Sequence, residues 1–136
     1  MEKGTILFHS RFEFKNGEIG EKLLILLNNP DPNIEPFLFC RTTSKKKNKS
    51  LTPGCQAKQS LFFIPATKDF FQLNTWLQLH EIFPAEASSV LKDHFDGVLE
   101  IKGKLKVETI GLLMKCIPLI QDISFEHRSM ILKKIR

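Results

Sequence analysis

The stretch Thr5-Ile6-Leu7-Phe8-His9-Ser10-Arg11-Phe12-Glu13-Phe14 decides how the fold is read. Phe8, Phe12 and Phe14 share one parity and His9, Arg11 and Glu13 the other, which predicts a strand with one buried face. Residues 15–20 follow with an Asn16-Gly17 pair, a turn signal. Lys22–Leu27 is apolar on both parities and predicts a strand covered on both faces. Asn28–Pro36, with three prolines, is excluded from regular structure.

Further along, Phe37–Arg41 predicts a short strand that runs into a polar segment, Thr42–Cys55. That segment is rich in Lys, Ser and Thr, ends in Pro53-Gly54 and is expected to be a long exposed loop. Leu61–Ile64 and Asn74–Phe83 predict two more strands. Pro84 is expected to open a short helix over Ala85–Phe95, stopped by Asp96-Gly97. Val98–Ile101 reads as a last strand, with a bend at Gly103. Val107, Ile110, Leu113, Met114, Ile117 and Ile120 form an amphipathic stripe broken near Pro118. Ser124 is expected to cap a final helix running to Ile135, with Phe125, Ile131, Leu132 and Ile135 as its apolar positions. Short strands followed by helices predict a mainly β fold with α (α+β), a small barrel or an α+β sheet.

The chain has 136 residues, 42% of them hydrophobic, too apolar for a disordered segment and suited to one domain over 1–136. Its longest apolar run, Leu23–Leu27, is far short of the roughly 20 residues of a membrane span, so no membrane partner is expected. Met1-Glu2-Lys3-Gly4 lacks the apolar core of a signal peptide, which predicts a cytoplasmic protein. Cys40, Cys55 and Cys116 show no CxxC spacing and predict neither a disulfide framework nor a zinc site. Cys40 and Cys116 read as core, Cys55 as nearer the surface.

The net charge of +5 is unevenly spread. Between Pro36 and Lys68 stand Arg41, Lys45, Lys46, Lys47, Lys49, Lys58 and Lys68 with no acidic residue. Clustered cations of this kind mark either a solvated loop or a polyanion-binding surface. No P-loop, Rossmann glycine pattern, HExxH or GxSxG occurs, and His9, His80 and His94 lack metal-ligand spacing. In Phe37-Leu38-Phe39-Cys40-Arg41-Thr42-Thr43-Ser44 a buried strand emerges into hydroxyls and then lysines. Such a strand end suits phosphate oxygens, and an ordinary Ser/Thr turn is the competing reading.

These elements in this order resemble the MazF/PemK family of toxin–antitoxin toxins. The likeness rests on Gly4-Thr5-Ile6-Leu7-Phe8 with Phe12-Glu13-Phe14, the loop at 15–20, Lys22–Leu27, Thr43-Ser44, and Gly103-Lys104-Leu105 leading into Val107–Ile117. The resemblance implies an SH3-like small β-barrel with a C-terminal helix; the extra helix expected at 124–135 extends past it. It also implies a metal-independent, cofactor-free endoribonuclease acting on single-stranded RNA, a homodimer, and an antitoxin peptide or protein as partner. Where the family has Arg-Pro, this chain has Glu21-Lys22-Leu23-Leu24. Thr43 and Ser44 then fall at the scissile phosphate; Lys22, Arg41 or Arg11 serves as cation, and Glu21 or His9 as proton acceptor. Arg11, Arg41, Lys45, Lys46, Lys47 and Lys49 are the expected RNA-binding residues. Phe70 and Trp76 are candidate stacking platforms, with core packing the competing reading for Trp76. The alternatives are a non-catalytic RNA- or protein-binding module on the same barrel, or a structural domain with a solvated lysine loop.

Overall fold

The computed structural model describes residues 1–31 and 33–133. Along the chain run β1 (Thr5–Glu13), β2 (Ile19–Leu26), β3 (Phe37–Thr43), β4 (Gly54–Gln56), β5 (Leu61–Ile64) and β6 (Thr75–Ala85). Then come α1 (Ala87–Phe95), β7 (Leu99–Lys104), α2 (Val107–Cys116) and α3 (Phe125–Leu132). The strands form one antiparallel seven-stranded sheet in the order β4-β5-β6-β3-β2-β1-β7. Among the described residues β4 and β7 are each paired on one side only, so the sheet is open.

β1 is a strand as its sequence predicts, but its faces are not set by simple parity. Its register against β2 shifts between His9 and Phe12, where β1 carries one residue more than its partner. Such a bulge reverses which face later side chains take. Leu7 and Phe12 therefore share a core cluster, the His9 and Phe12 rings meet edge-to-face at 5.8 Å, and Phe8 lies on the opposite face.

One face of the sheet carries the larger core. Ile6, Ile25, Leu38, Cys40, Phe62 and Leu77 pack there against Leu113, Cys116 and Ile117 of the α2 region and Ile131 of α3. The other face buries Leu7, Leu24, Leu26 and Phe39 beneath Val90 of α1. A third cluster, Leu61, Phe63 and Trp76, sits under the lysine-bearing loop. Helix α2 follows edge strand β7 and packs on β4, the opposite edge, to which the Cys55–Cys116 disulfide joins it. The gap between the two edges is thus spanned by a helix rather than by strand pairing.

Several expectations are corrected. Pro84 opens no helix: β6 continues through it, with Pro84 opposite Leu38, and α1 starts only at Ala87. The strand tolerates proline there because β5 pairs only with Thr75–Gln78, which leaves that side of Pro84 without a ladder to feed. Three residues of the expected loop, Gly54–Gln56, form β4. Cys55 and Cys116 are disulfide-bonded, contrary to the cysteine reading. Spacing gave no sign of this pair because the bond crosses 61 residues between a sheet edge and a helix end. On the helices, Val107 and Phe125 are 79% and 83% exposed, so neither belongs to the buried stripes. Ser124 does cap α3, its Oγ accepting the His127 N–H at 3.1 Å; Ile135 lies outside the described residues. So does Pro32.

Candidate functional site

A cleft of about 650 Å³ opens where β1, β2 and β3 meet the loop between β5 and β6. Phe8, Leu23, Phe70, Phe71 and Leu73 form its apolar floor and walls. Glu21, Lys22, Thr43, Ser44 and Lys45 line it as well and supply its polar side. Its volume lies within the usual range for ligand pockets, roughly 300–1,000 Å³.

The backbone explains how these groups converge. Phe8 and Leu23 are cross-strand partners, and the Thr42 hydroxyl donates to the Leu23 carbonyl at 3.0 Å, tying the end of β3 to β2. Thr43 Oγ1 accepts the Lys45 N–H at 3.2 Å, which turns the chain at the strand end and brings Ser44 and Lys45 to the cleft. The loop at 65–74 is held from the far side: Lys106 donates its N–H to Asp69 at 3.0 Å and its ammonium to the Lys68 carbonyl at 2.8 Å. The Phe70 ring lies on Gly103, where a Cβ would stand 3.0 Å from its Cδ1. A Cβ there would press the ring aside by a few tenths of an ångström.

The cleft carries charges of both signs, Glu21 beside Lys22 and Lys45. Burial holds the Lys22 ammonium below the usual lysine range, and the charges of Arg41 and Lys45 push it the same way. The charged form of Lys22 therefore carries a cost that an anion beside it would offset.

The sequence-derived candidates separate in space. Glu21, Lys22, Thr43, Ser44 and Lys45 share the cleft. Arg41 does not line it: its guanidinium lies 3.8 Å from Glu81 Oε1 and over the Phe83 ring at 5.4 Å. That side chain is 16% exposed, and its Nε has no partner among the described residues. His9 and Arg11 share a groove, but a different one, of about 530 Å³ beneath α1. There His9 Nδ1 accepts the Arg11 N–H at 3.2 Å, and Nε2 faces Asp93 at 3.8 Å. Burial lowers the His9 pKa, and Asp93 offsets part of the shift.

Lys45, Lys46 and Lys47 are exposed, whereas Lys49 is half-buried and donates to the Lys47 carbonyl at 3.3 Å. Their loop is anchored. Gln59 donates to the Asn48 carbonyl at 3.1 Å, and Gln56 donates to those of Ser50 and Thr52 at 2.9 and 2.8 Å. The Trp76 indole N–H reaches the Ser50 carbonyl at 2.9 Å. Trp76 is fully buried and stacked on Phe63, so it packs as core and offers no platform; Phe70 is 39% exposed. Burial pushes the Cys40 thiol up to about 12, which removes it as a nucleophile at neutral pH.

Phe8, Leu23, Phe71 and Leu73 line the cleft without having been singled out by sequence. The apolar cluster Phe70-Phe71-Gln72-Leu73, set in a loop, was the available signal. Among the described residues no group of three or more His, Cys, Asp or Glu is placed to hold a metal ion, and no helix is long and apolar enough to cross a membrane. Compared with known proteins, the chain matches no family model and no curated protein.

Proposed function

We propose that the protein binds single-stranded RNA in this cleft, with a base against Phe8 and Phe70 and the phosphates along Lys22, Lys45 and the exposed Lys46 and Lys47. The observation that carries this reading is one juxtaposition: an aromatic floor meets a partly buried Lys22 with Lys45 in the same cleft. Stacking surfaces beside backbone-tracking cations are what single-stranded nucleic acid requires, because any base has a π-face and every nucleotide a phosphate. Lys102, 5.7 Å from the Phe8 ring centroid, adds a further cation on the floor's side.

The reading agrees with the likeness to MazF/PemK toxins, and with it come the finer proposals. These are an SH3-like barrel whose open side α2 covers, a homodimer, and an antitoxin peptide or protein competing for the basic surface. For RNA cleavage the cleft offers Glu21 to take the 2′-hydroxyl proton, Lys22 as cation and Ser44 as a phosphate donor. A non-catalytic binding module is favoured by one observation: the Arg41 guanidinium lies by Glu81 and Phe83 and does not line the cleft.

One experiment separates the two. Purified protein is incubated with single-stranded RNA in chelator and any new ends are mapped, while fluorescence anisotropy follows binding to the same RNA. Binding without new ends identifies the module. New ends that vanish in Glu21→Gln identify the nuclease. Neither binding nor cleavage at low salt rejects the proposal.

A further inference from the structure

The Cys55–Cys116 disulfide lies in a small surface pocket of about 310 Å³, lined also by Pro53, Leu112, Lys115 and Leu119. The two residues differ in burial: Cys116 is 1% exposed, whereas Cys55, though it packs against the core, is only half-buried and lines the pocket. Thiol–disulfide exchange needs access to one sulfur and a setting that favours thiolate, and Lys115 puts a positive charge in the same pocket. From this geometry we infer that the pocket is a site of reversible reduction by a dithiol, and that the bond is a clamp on the lysine loop.

A thiolate of the reductant attacks Cys55 Sγ, forms a mixed disulfide, and expels Cys116 as a thiolate that takes a proton. The reductant's second thiol then attacks the mixed disulfide at its own sulfur. Cys55 leaves and is protonated, and the reductant departs as a disulfide. Two electrons and two protons pass from reductant to protein.

The consequence follows from what Cys55 holds. It is the middle residue of β4, a three-residue edge strand paired only with β5 among the described residues. The next residue, Gln56, carries the side-chain amide that ties down the Ser50 and Thr52 carbonyls. Breaking the bond to α2 leaves β4 with a three-residue register to Leu61–Phe63 and nothing covalent on its other side. Edge strands this short open readily, and the loop bearing Lys45–Lys49 loosens with them. On the RNA-binding reading, on which this consequence rests, reduction weakens affinity because the loop must be ordered again on binding.

The test uses the whole protein in oxidised and dithiothreitol-reduced forms, with the Cys55→Ser/Cys116→Ser double variant as a permanently open reference. Thiol titration in denaturant should give one thiol for the oxidised form and three for the reduced form. Reduction should proceed under native conditions. Hydrogen exchange at residues 45–56 should then rise about tenfold in the reduced form and in the double variant, while amides of β1 and β2 stay protected. Affinity for single-stranded RNA should fall about tenfold in both. Three thiols in protein kept under oxidising conditions would overturn the clamp, as would a bond reducible only in denaturant or unchanged exchange at 45–56. If the oxidised protein binds no RNA while exchange still responds to reduction, the RNA reading fails and the clamp stands.

Discussion

The indole N–H of Trp76 donates to the carbonyl oxygen of Ser50 at 2.9 Å, so the basic loop hangs from a fully buried core residue. Replacing Trp76 with Phe keeps an aromatic ring on Phe63 but removes the donor and leaves space in the cluster. The expected cost is about 1–3 kcal/mol in urea unfolding, from the unpaired carbonyl and poorer packing. Trypsin should also cleave within Lys45–Lys49 faster than in the parent protein. An unchanged cleavage rate would mean that the loop is held by Gln56 and Gln59 alone.

Gly103 governs the cleft through the ring resting on it. In Gly103→Ala the new Cβ meets Phe70 Cδ1 at 3.0 Å, and the ring, being partly exposed, can move away. The stability loss should stay near 1 kcal/mol or below. RNA affinity should fall by less than in Phe70→Ala, where removing a base stack costs about 1–3 kcal/mol. In a double-mutant cycle Gly103→Ala should cost nothing further once Phe70 is Ala, since it acts through that ring. Additive losses would show that Gly103 acts elsewhere.

Lys22 sets stability against binding. Its ammonium is disfavoured in the free protein by burial and by Arg41 and Lys45. Lys22→Gln should therefore raise the Tm of the free protein while lowering RNA affinity. A lower Tm together with weaker binding would point to a merely structural lysine.

His9 makes acid stability testable. Its folded pKa lies below the ordinary 6.5 because burial disfavours the charged ring. The unfolded chain then binds more protons than the folded one as pH drops below 6.5, so this contribution is complete above 6.5 and declines on acidification through the folded value. Thermal melts from pH 7.5 to 5 should show a shallower decline for His9→Gln than for the parent protein. Parallel profiles would contradict the assigned burial effect.

The strands were legible where apolar runs carried their own pattern, as in Thr5–Phe14, Phe37–Arg41 and Leu61–Ile64. What stayed hidden came from tertiary context. The β1 bulge sent Phe8 to the cleft and Phe12 to the opposite core, although parity assigns them one face. β4 is too short to announce itself, and Pro84 is tolerated only because of where β5 stops. At the site, a Thr-Ser pair and a lysine run could be read from the chain. That Glu81 and Phe83 engage Arg41 depends on the pairing of β3 with β6, strands far apart in sequence, which no local signal encodes.

If single-stranded RNA binds in the cleft containing Lys22 and Lys45, a salt titration of RNA affinity must register those two charges. Anisotropy is measured with labelled single-stranded RNA for the parent protein, for Lys22→Gln/Lys45→Gln, and for Lys92→Gln/Lys115→Gln as a charge-matched control. Binding by the parent protein and the control should be salt-sensitive. In the cleft variant, affinity falls and the slope of log K against log salt shrinks by about 0.7 for each phosphate no longer neutralised. Equal losses in cleft variant and control would contradict binding in the cleft, because binding would then report net charge rather than this site.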